Sequence, residues 1–412
     1  MIFVFYFFAA VLILLSLKSL IGGIEYLRFF RGELAKPRSE FTPFVTVIAP
    51  CRGLDMELEI NLEALFELDY PAYEIVFVVD DEADPAVEVI NAVLAERRLP
   101  ACDSAGTGRL AACVPAKLIV APKANHSSQK VENLREAVLH TSPESEAFVF
   151  VDSDVRPSCG WLRALVAPLA DENEGAATGY RWFIAKNPTF ASDLGSSWNA
   201  SIASALGPNI KSNFCWGGSM AIRRDTFERL QMRDKWEGTL SDDFAVTRAM
   251  SEANLPIVFV PQALTASVDD CTFGEMAEFT TRQMKITRVY ATRLWIVSLF
   301  GSVLFNAVMI AALLIAIFAL ETVPFYASLG TIFIVTVCST GKAWIRLNAA
   351  KLVLTDRRQA LEKQFWTQNT LWLFTPAIFM FNSIAAGLSR RMTWRGTVYE
   401  LKSPTETVII AD

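Results

Sequence analysis

Three acidic pairs and a late basic patch are the residues of this chain best suited to chemistry: Asp80-Asp81, Asp152-Ser153-Asp154, Asp242-Asp243, and then Arg282 with Lys285. Phe148-Val149-Phe150-Val151 is an apolar run that stops abruptly at Asp152, and such a run suits a strand covered on both faces. Ligands of open α/β sheets sit beyond the carboxyl ends of their strands, which puts Asp152 and Asp154 at the mouth of a cleft. Hard oxygen ligands at this spacing suit Mg²⁺ or Mn²⁺ held partly through phosphates. Asp-x-Asp by itself also occurs in turns and helix caps. Capping would explain Asp242 or Asp243, but not comfortably both. With only His126 and His140 in the chain, a histidine-rich zinc site or a Ser-His-Asp triad has little support, so carboxylates are left to act as acid and base.

The elements that must position these acids alternate in type. Phe44 to Ala49 reads as a first strand, Leu58 to Leu68 as a helix, and Glu74 to Val79 as a second strand ending in Asp80-Asp81. A helix from Pro85 to Arg98, a strand around Leu118 to Val120 and a helix near Val131 to Leu139 lead to the strand before Asp152. This alternation predicts a doubly wound, mostly parallel sheet. Neither G-x-G-x-x-G nor G-x-x-x-x-G-K-[ST] is present, and Gly106-Thr107-Gly108 lacks the strand and helix a phosphate loop needs. Phe190, Leu194, Trp198, Ile202 and Leu206 repeat at helical spacing, either against a membrane surface or on a domain core. Trp216-Gly217-Gly218 reads as a loop whose glycines serve close approach to a ligand or a tight turn. Ser241 or Asp242 is the expected N-cap of a helix through Met250, and a basic helix carrying Arg282, Gln283 and Lys285 follows the strand at Ile257 to Val260.

Of the 412 residues, 52% are hydrophobic and 20% charged, which is too apolar for an ordinary soluble chain of this length. Residues 1–22 predict a transmembrane anchor, 43–293 a cytosolic catalytic domain, and 294–345 a transmembrane hairpin. Residues 346–412 hold a cytosolic loop, a further transmembrane or re-entrant segment, and a tail. The stretch Phe365 to Leu388 is interrupted by Gln368, Asn369, Thr375, Pro376 and Asn382. A full crossing there would put Arg390, Arg391 and Arg395 on the side that basic residues avoid. A net charge of −6 and the absence of zinc-finger or RNA-binding motifs argue against nucleic acid as a partner. Seven scattered cysteines without a C-x-x-C pair favour reduced thiols facing a cytosol, on a bacterial inner membrane or an endomembrane.

Transfer of a sugar from a nucleotide diphosphate would use this order of acids: one for the nucleoside, a pair for a metal at the diphosphate, and a last one as base. The chain resembles the family 2-like, GT-A-fold inverting glycosyltransferases, and most closely the ceramide glucosyltransferase family. The resemblance rests on Asn61-Leu62-Glu63, on Phe66-Glu67-Leu68-Asp69-Tyr70-Pro71, on Tyr73-Glu74 and on Asp84-Pro85-Ala86. Lys130-Val131-Glu132-Asn133-Leu134 and the tail's Trp394-Arg395-Gly396-Thr397 with Tyr399 add to it. It implies a nucleotide-diphospho-sugar transferase fold with a Rossmann-like mixed sheet, anchored by transmembrane helices. It implies also a UDP-sugar donor, a membrane lipid acceptor and a divalent cation. By position, Asp81 and Asp152 match the donor-binding aspartates, Asp152 and Asp154 the metal pair, and Asp243 the general base; Trp216, Gly218 and Asp242 fall on the acceptor side. The family's last motif, Gln or Arg, two residues, then Arg-Trp, is met here by Arg282-Gln283-Met284-Lys285-Ile286, which the resemblance places at the nucleotide sugar through Arg282 and Lys285. Lysine cannot reproduce arginine's planar bidentate grip, so this departure bears on acceptor identity. The rival readings keep the chemistry with another acceptor, a hopanoid, a polyprenyl carrier or a polysaccharide, or make the chain a membrane scaffold that binds nucleotide sugar or lipid without turnover.

Overall fold

The computed structural model describes residues 2–98 and 114–411. Cys102, Cys113 and Gly106-Thr107-Gly108 lie outside them; the five described cysteines are free thiols. Helix α1 (Ile2–Leu34) opens the chain. Then come β1 (Val45–Pro50), α2 (Leu58–Ala64), β2 (Tyr73–Val79), α3 (Pro85–Arg98), β3 (Ala116–Val120), α4 (Gln129–Ala137), β4 (Ala147–Val151), α5 (Trp161–Val166), β5 (Ala176–Ile184) and α6 (Phe190–Ala203). Next are β6 (Ser219–Arg223), the short α7 (Arg224–Arg229) and α8 (Met232–Lys235), α9 (Asp242–Glu252), β7 (Ile257–Val268) and α10 (Phe273–Tyr290). Helices α11 (Thr292–Phe318), α12 (Val323–Val353), α13 (Arg358–Lys363), α14 (Phe365–Thr370) and α15 (Thr375–Leu388) precede the strands β8 (Arg391–Trp394), β9 (Thr397–Ser403) and β10 (Glu406–Ala411).

Two compact units divide these elements. The sheet-bearing unit comprises residues 36–182, 208–269 and 393–412. Its seven-stranded sheet has the order β3-β2-β1-β4-β6-β5-β7. Strands β3, β2, β1 and β4 run parallel, while β6 is antiparallel to both β4 and β5. The sheet is thus mixed and parallel-rich, as the alternating pattern requires in its first half; β5 and β6 escaped it because their residues carry no clean period. Every residue of β2 and β4 is buried, which explains why β4 reads as an unbroken apolar run and β2 as one from Ile75 on. On one face Phe150, Phe227 and Trp236 form a cluster with ring centres 5.3 to 6.5 Å apart, both phenylalanines meeting Trp236 edge to face. The tail adds a three-stranded sheet, β10-β9-β8.

The second unit comprises residues 1–35, 183–207 and 270–392. Among the described residues three helices, α1, α11 and α12, are long and apolar enough to cross a membrane. Their shared core is Phe5, Ala9, Leu12, Val308, Ala312 and Val335. Helix α1 does not stop at Gly22-Gly23 but runs on to Leu34. The basic residues Arg346 and Lys351, expected in a loop, lie with Lys342 on α12, which stays helical through Val353. Phe365 to Leu388 breaks into two helical segments bent by 55°, a broken span or a re-entrant loop. Pro376 in the first turn of α15 accounts for the break, since its ring cannot continue a preceding helix. The apolar stripe of α6 packs on its own unit, with Trp198 stacked on Phe379 at 5.5 Å, and only Phe190 of that stripe stays exposed.

Candidate functional site

The site grows from the carboxyl ends of β2 and β4. These strands flank β1, so their ends lie roughly 10 Å apart at about 4.8 Å per strand. At the end of β2, Lys123 pairs with Asp80 at 2.8 Å and with Asp81 at 3.3 Å. The amide of Ala83 donates to Asp81 at 3.0 Å, and this bond, with Lys123, holds the exposed Asp81 carboxyl below the usual range. Asp84 accepts from Gly53 N at 2.9 Å and from Ala86 N at 2.8 Å, tying the loop after β1 to the start of α3.

At the end of β4 the chain turns sharply, and buried polar groups hold the turn. Asn61 Nδ2 donates to the Ser153 carbonyl at 3.1 Å, Ser153 Oγ to Asp55 at 2.6 Å, and Ser267 Oγ to the Asp154 carbonyl at 2.9 Å. Arg156 donates to Asn61 Oδ1 at 3.0 Å and pairs with Glu57 at 2.6 Å. The Asn61-Leu62-Glu63 signature therefore has a structural meaning, because Asn61 clamps the Asp-Ser-Asp turn.

Two further segments bring Asp242 and Asp243 to that turn. Ser128 caps α4 by accepting from Val131 N, and its hydroxyl donates to the Leu240 carbonyl at 2.7 Å. Trp236 Nε1 donates to the Asp242 carbonyl at 3.1 Å from a fully buried ring. Lys130 then bridges the two acid pairs, 2.7 Å from Asp152 Oδ1 and 3.2 Å from Asp242 Oδ1. Ser241 stands at the N-cap of α9, but its side chain does not cap the helix, and neither does Asp242. Instead Asp243 Oδ1 accepts from Ser241 Oγ and from Phe244 N, and its Oδ2 faces Gly217 N at 3.3 Å.

The loop before β6 explains its two glycines. A Cβ on Gly217 would sit 2.2 Å from Asp242 Oδ2, and one on Gly218 2.2 Å from the Trp216 ring and 2.8 Å from Asp152 Oδ2. The glycines make room for the carboxylates. Trp216 lies under the Arg181 guanidinium at 5.4 Å, and Arg181 pairs with Asp154 at 3.1 Å. Arg395, on the tail, pairs with Asp55 at 2.6 Å and donates to the Arg52 carbonyl at 2.7 Å.

Charge is densely opposed here. Burial alone would raise the Asp152 carboxyl, but Lys130, with Arg181 and Arg395 around it, holds it below the usual range. Burial would lower the Lys130 ammonium, and Asp152, Asp242 and Asp243 more than reverse that. Asp154 is pushed up to about 6 by burial against the pull of Arg181. Asp242 is also pushed up to about 6, by burial and by Asp243 and Asp152, with Lys130 opposing. Asp154 Oδ1 and Asp242 Oδ2 are buried without a hydrogen-bond partner. A second cation is what such atoms lack, so Asp152 and Asp154 fit a hard divalent ion. Among the described residues no three His, Cys, Asp or Glu side chains gather to hold one alone, so phosphate oxygens and water would complete its shell.

Of the residues expected from sequence, Asp152, Asp154, Asp242, Asp243, Trp216 and Gly218 come together, and Asp81 stands two strands away. Arg282 and Lys285 belong to α10 in the other unit. Arg282 lies over the Phe279 ring at 5.4 Å, and Lys285 donates to the Arg391 carbonyl. Lys130 and Arg395 were visible in their motifs but without a role; Asp55, Lys123 and Arg181 gave no local signal.

A model of glycosyl transferase family 21 matches residues 9–407. The ceramide glucosyltransferase of Komagataella phaffii is 30% identical over 92 residues, 22% of this chain, and the match spans 18% of that relative's length. Among solved structures, the mannosyltransferase PcManGT of Pyrobaculum calidifontis, in complex with GDP-Man and Mn²⁺, aligns at a TM-score of 0.43 and 18% identity. That alignment covers 92% of this chain and 98% of the other. Glucosyl-3-phosphoglycerate synthase of Mycobacterium tuberculosis, in complex with Mn²⁺ and UDP-glucose, aligns at 0.34 and 13% identity over 63% of this chain and 80% of its own. With the family model matched over nearly the whole length, the chain belongs to glycosyl transferase family 21.

Proposed function

We propose that this chain is a membrane-bound inverting hexosyltransferase that moves a sugar, glucose first among candidates, from a UDP-sugar to the hydroxyl of a ceramide-like membrane lipid. The observation that carries this reading is Lys130 holding Asp152 and Asp242 in one buried cluster beside Asp243. Family membership, the name of the yeast relative and the three apolar helices support it. The catalytic unit faces the cytosol in this reading, where UDP-sugars are met.

Asp81 and Lys123 hold the nucleoside end. A divalent cation at Asp152 and Asp154, Mg²⁺ or Mn²⁺, would neutralise charge on the departing diphosphate. Lys130, between Asp152 and Asp242, keeps both carboxylates in register and adds positive charge where the diphosphate leaves. Asp243 has Oδ1 pinned by Ser241 and Phe244 N, which leaves Oδ2, with only the long contact to Gly217 N among the described residues, to take the acceptor's proton. It takes the hydroxyl proton as the acceptor oxygen bonds to the anomeric carbon; the bond from that carbon to the diphosphate oxygen breaks, and UDP carries the electron pair away. Attack opposite the leaving group inverts the anomeric centre.

The test is mass spectrometry of lipids from membranes holding the chain, incubated with ceramide and, separately, UDP-glucose, UDP-galactose or UDP-glucuronate, beside Asp243→Asn membranes. A new Asp243-dependent monohexosyl ceramide is expected, and it names the donor. An endogenous lipid glycosylated in place of ceramide would move the acceptor to another lipid. UDP binding without any transfer would make the chain a scaffold.

A further inference from the structure

We infer that the helical unit carries a binding site for the phosphate of a membrane phospholipid, built from Lys342 and Arg346 at the polar end of an apolar groove. This goes beyond the proposed transfer reaction and does not depend on it.

The two cations lie one turn apart on the same face of α12. Arg346 is 5% exposed, yet among the described residues its one side-chain hydrogen bond is long, 3.4 Å from Nη2 to Gln368 Oε1, and its Nε is buried without a partner there. Lys342 Nζ donates to Ser19 Oγ at 2.9 Å. Among the described residues neither cation has a carboxylate partner. A buried charge left without its counter-ion costs several kcal/mol, so a site of this kind is built for an anion that comes from outside the chain.

A groove of about 210 Å³ beside Lys342 points to the kind of anion. Leu12, Leu15 and Ser19 of α1, Gly301 and Phe305 of α11, and Ser339 of α12 line it. Leu12, Leu15 and Phe305 make much of the wall apolar, Ser16, Ser19 and Ser339 interrupt it, and Ser19 is the residue that brings Lys342, itself outside the wall, beside the groove. Gly23 makes the juxtaposition possible, because a Cβ there would sit 3.1 Å from Lys342 Cγ. Of the Gly22-Gly23 pair inside α1, it is Gly23 that stands at the crossing with the lysine stem.

Depth agrees with a lipid headgroup. From Val323, at the start of α12, to Lys342 the helix rises about 28 Å at about 1.5 Å per residue, close to the roughly 30 Å of hydrocarbon in a bilayer. The ammonium and guanidinium therefore stand where phosphates stand when α12 spans, and the groove runs back into the acyl layer. One acyl chain in the groove and its phosphate on Lys342, with Arg346 behind, completes both the apolar and the charged half of the site.

Native mass spectrometry of the full chain, released from mild detergent with added phosphatidylglycerol, phosphatidylcholine, diacylglycerol or ceramide, tests this. One phospholipid per chain is expected, with phosphatidylglycerol retained at least tenfold over diacylglycerol and ceramide. Lys342→Met and Arg346→Gln should each lower that retention about tenfold. Gly301→Leu, which fills the groove and leaves both cations, should lower it too, with circular dichroism unchanged in each variant that counts. Equal retention of lipids with and without phosphate would overturn the inference, as would full retention by a folded Lys342→Met, and ceramide held in preference would hand the groove to a neutral lipid.

Discussion

Asp242→Asn should make this protein more stable and less active, and the gain in stability should depend on pH. The Asp242 side chain is 3% exposed, its Oδ2 has no hydrogen-bond donor, and its carboxyl is pushed up to about 6 from an ordinary value near 3.8. The folded state thus holds a proton that the unfolded chain has already released. Stability falls as pH rises from about 4 to about 6 and stays lowered above that. A shift of about 2 units corresponds to roughly 3 kcal/mol as an upper bound, with 1 to 2 kcal/mol a reasonable central figure once coupling to Lys130 is allowed for. Asparagine copies the protonated acid in shape and removes this loss. In full-length protein in detergent, with EDTA and without nucleotide, the apparent Tm of Asp242→Asn should exceed the parent's by about 3 to 6 °C at pH 8. The difference should vanish at pH 4.5. Transfer should fall, since Lys130 loses one of the two charges that hold it beside Asp152. An equal difference at both pH values, or a lower Tm at pH 8, would refute the argument that Asp242 is a strained, buried carboxylate.

Further expectations attach to single contacts. Asp243→Asn should lower turnover by about 10² to 10⁴ while UDP affinity, read by calorimetry, stays within about twofold. Arg395→Lys should weaken the donor by roughly 5- to 100-fold in KM, because lysine cannot span Asp55 and the Arg52 carbonyl together; an unchanged donor KM would show that the tail is only a brace. Asn61→Leu should cost about 1 to 3 kcal/mol in urea unfolding, since it leaves the Ser153 carbonyl without its Asn61 donor and Arg156 with Glu57 in place of two acceptors. Mn²⁺ binding followed by electron paramagnetic resonance should weaken as pH falls through about 6, where Asp154 takes up a proton; flat affinity between pH 5 and 7.5 would remove Asp154 from the metal pair.

The backbone conformation at Arg395 gives the tail particular interest. Arg395 and Gly396 form the two-residue connection between β8 and β9, with φ values of 52° and 88°. That turn favours Asn or Asp followed by Gly, and a left-handed arginine costs about 1 kcal/mol or more. The guanidinium it places on Asp55 is the offsetting gain. Tyr399, whose hydroxyl accepts from Gln129 N next to Lys130, and Gly238, where a Cβ would meet the Thr405 carbonyl at 2.3 Å, seat the rest of the hairpin.

The sequence by itself determined the first half of the sheet and the order of the acids. Buried parallel strands are apolar without interruption, and the abrupt change at Asp80 and Asp152 is visible to any reading of neighbours along the chain. It determined the three long apolar helices for a like reason, since nearly every residue of a helix able to cross a membrane must be apolar. Only the tertiary structure decided which charges meet. Lys130 reaches Asp152 and Asp242, Asp154 finds Arg181, and Arg395 crosses to Asp55 from the far end of the chain. No periodicity encodes such pairs, because their partners lie tens to hundreds of residues apart and are chosen by strand order and loop closure. The two glycines before β6 make the same point: a tight turn and a close approach look alike in sequence, and only the carboxylates packed against Gly217 and Gly218 tell them apart.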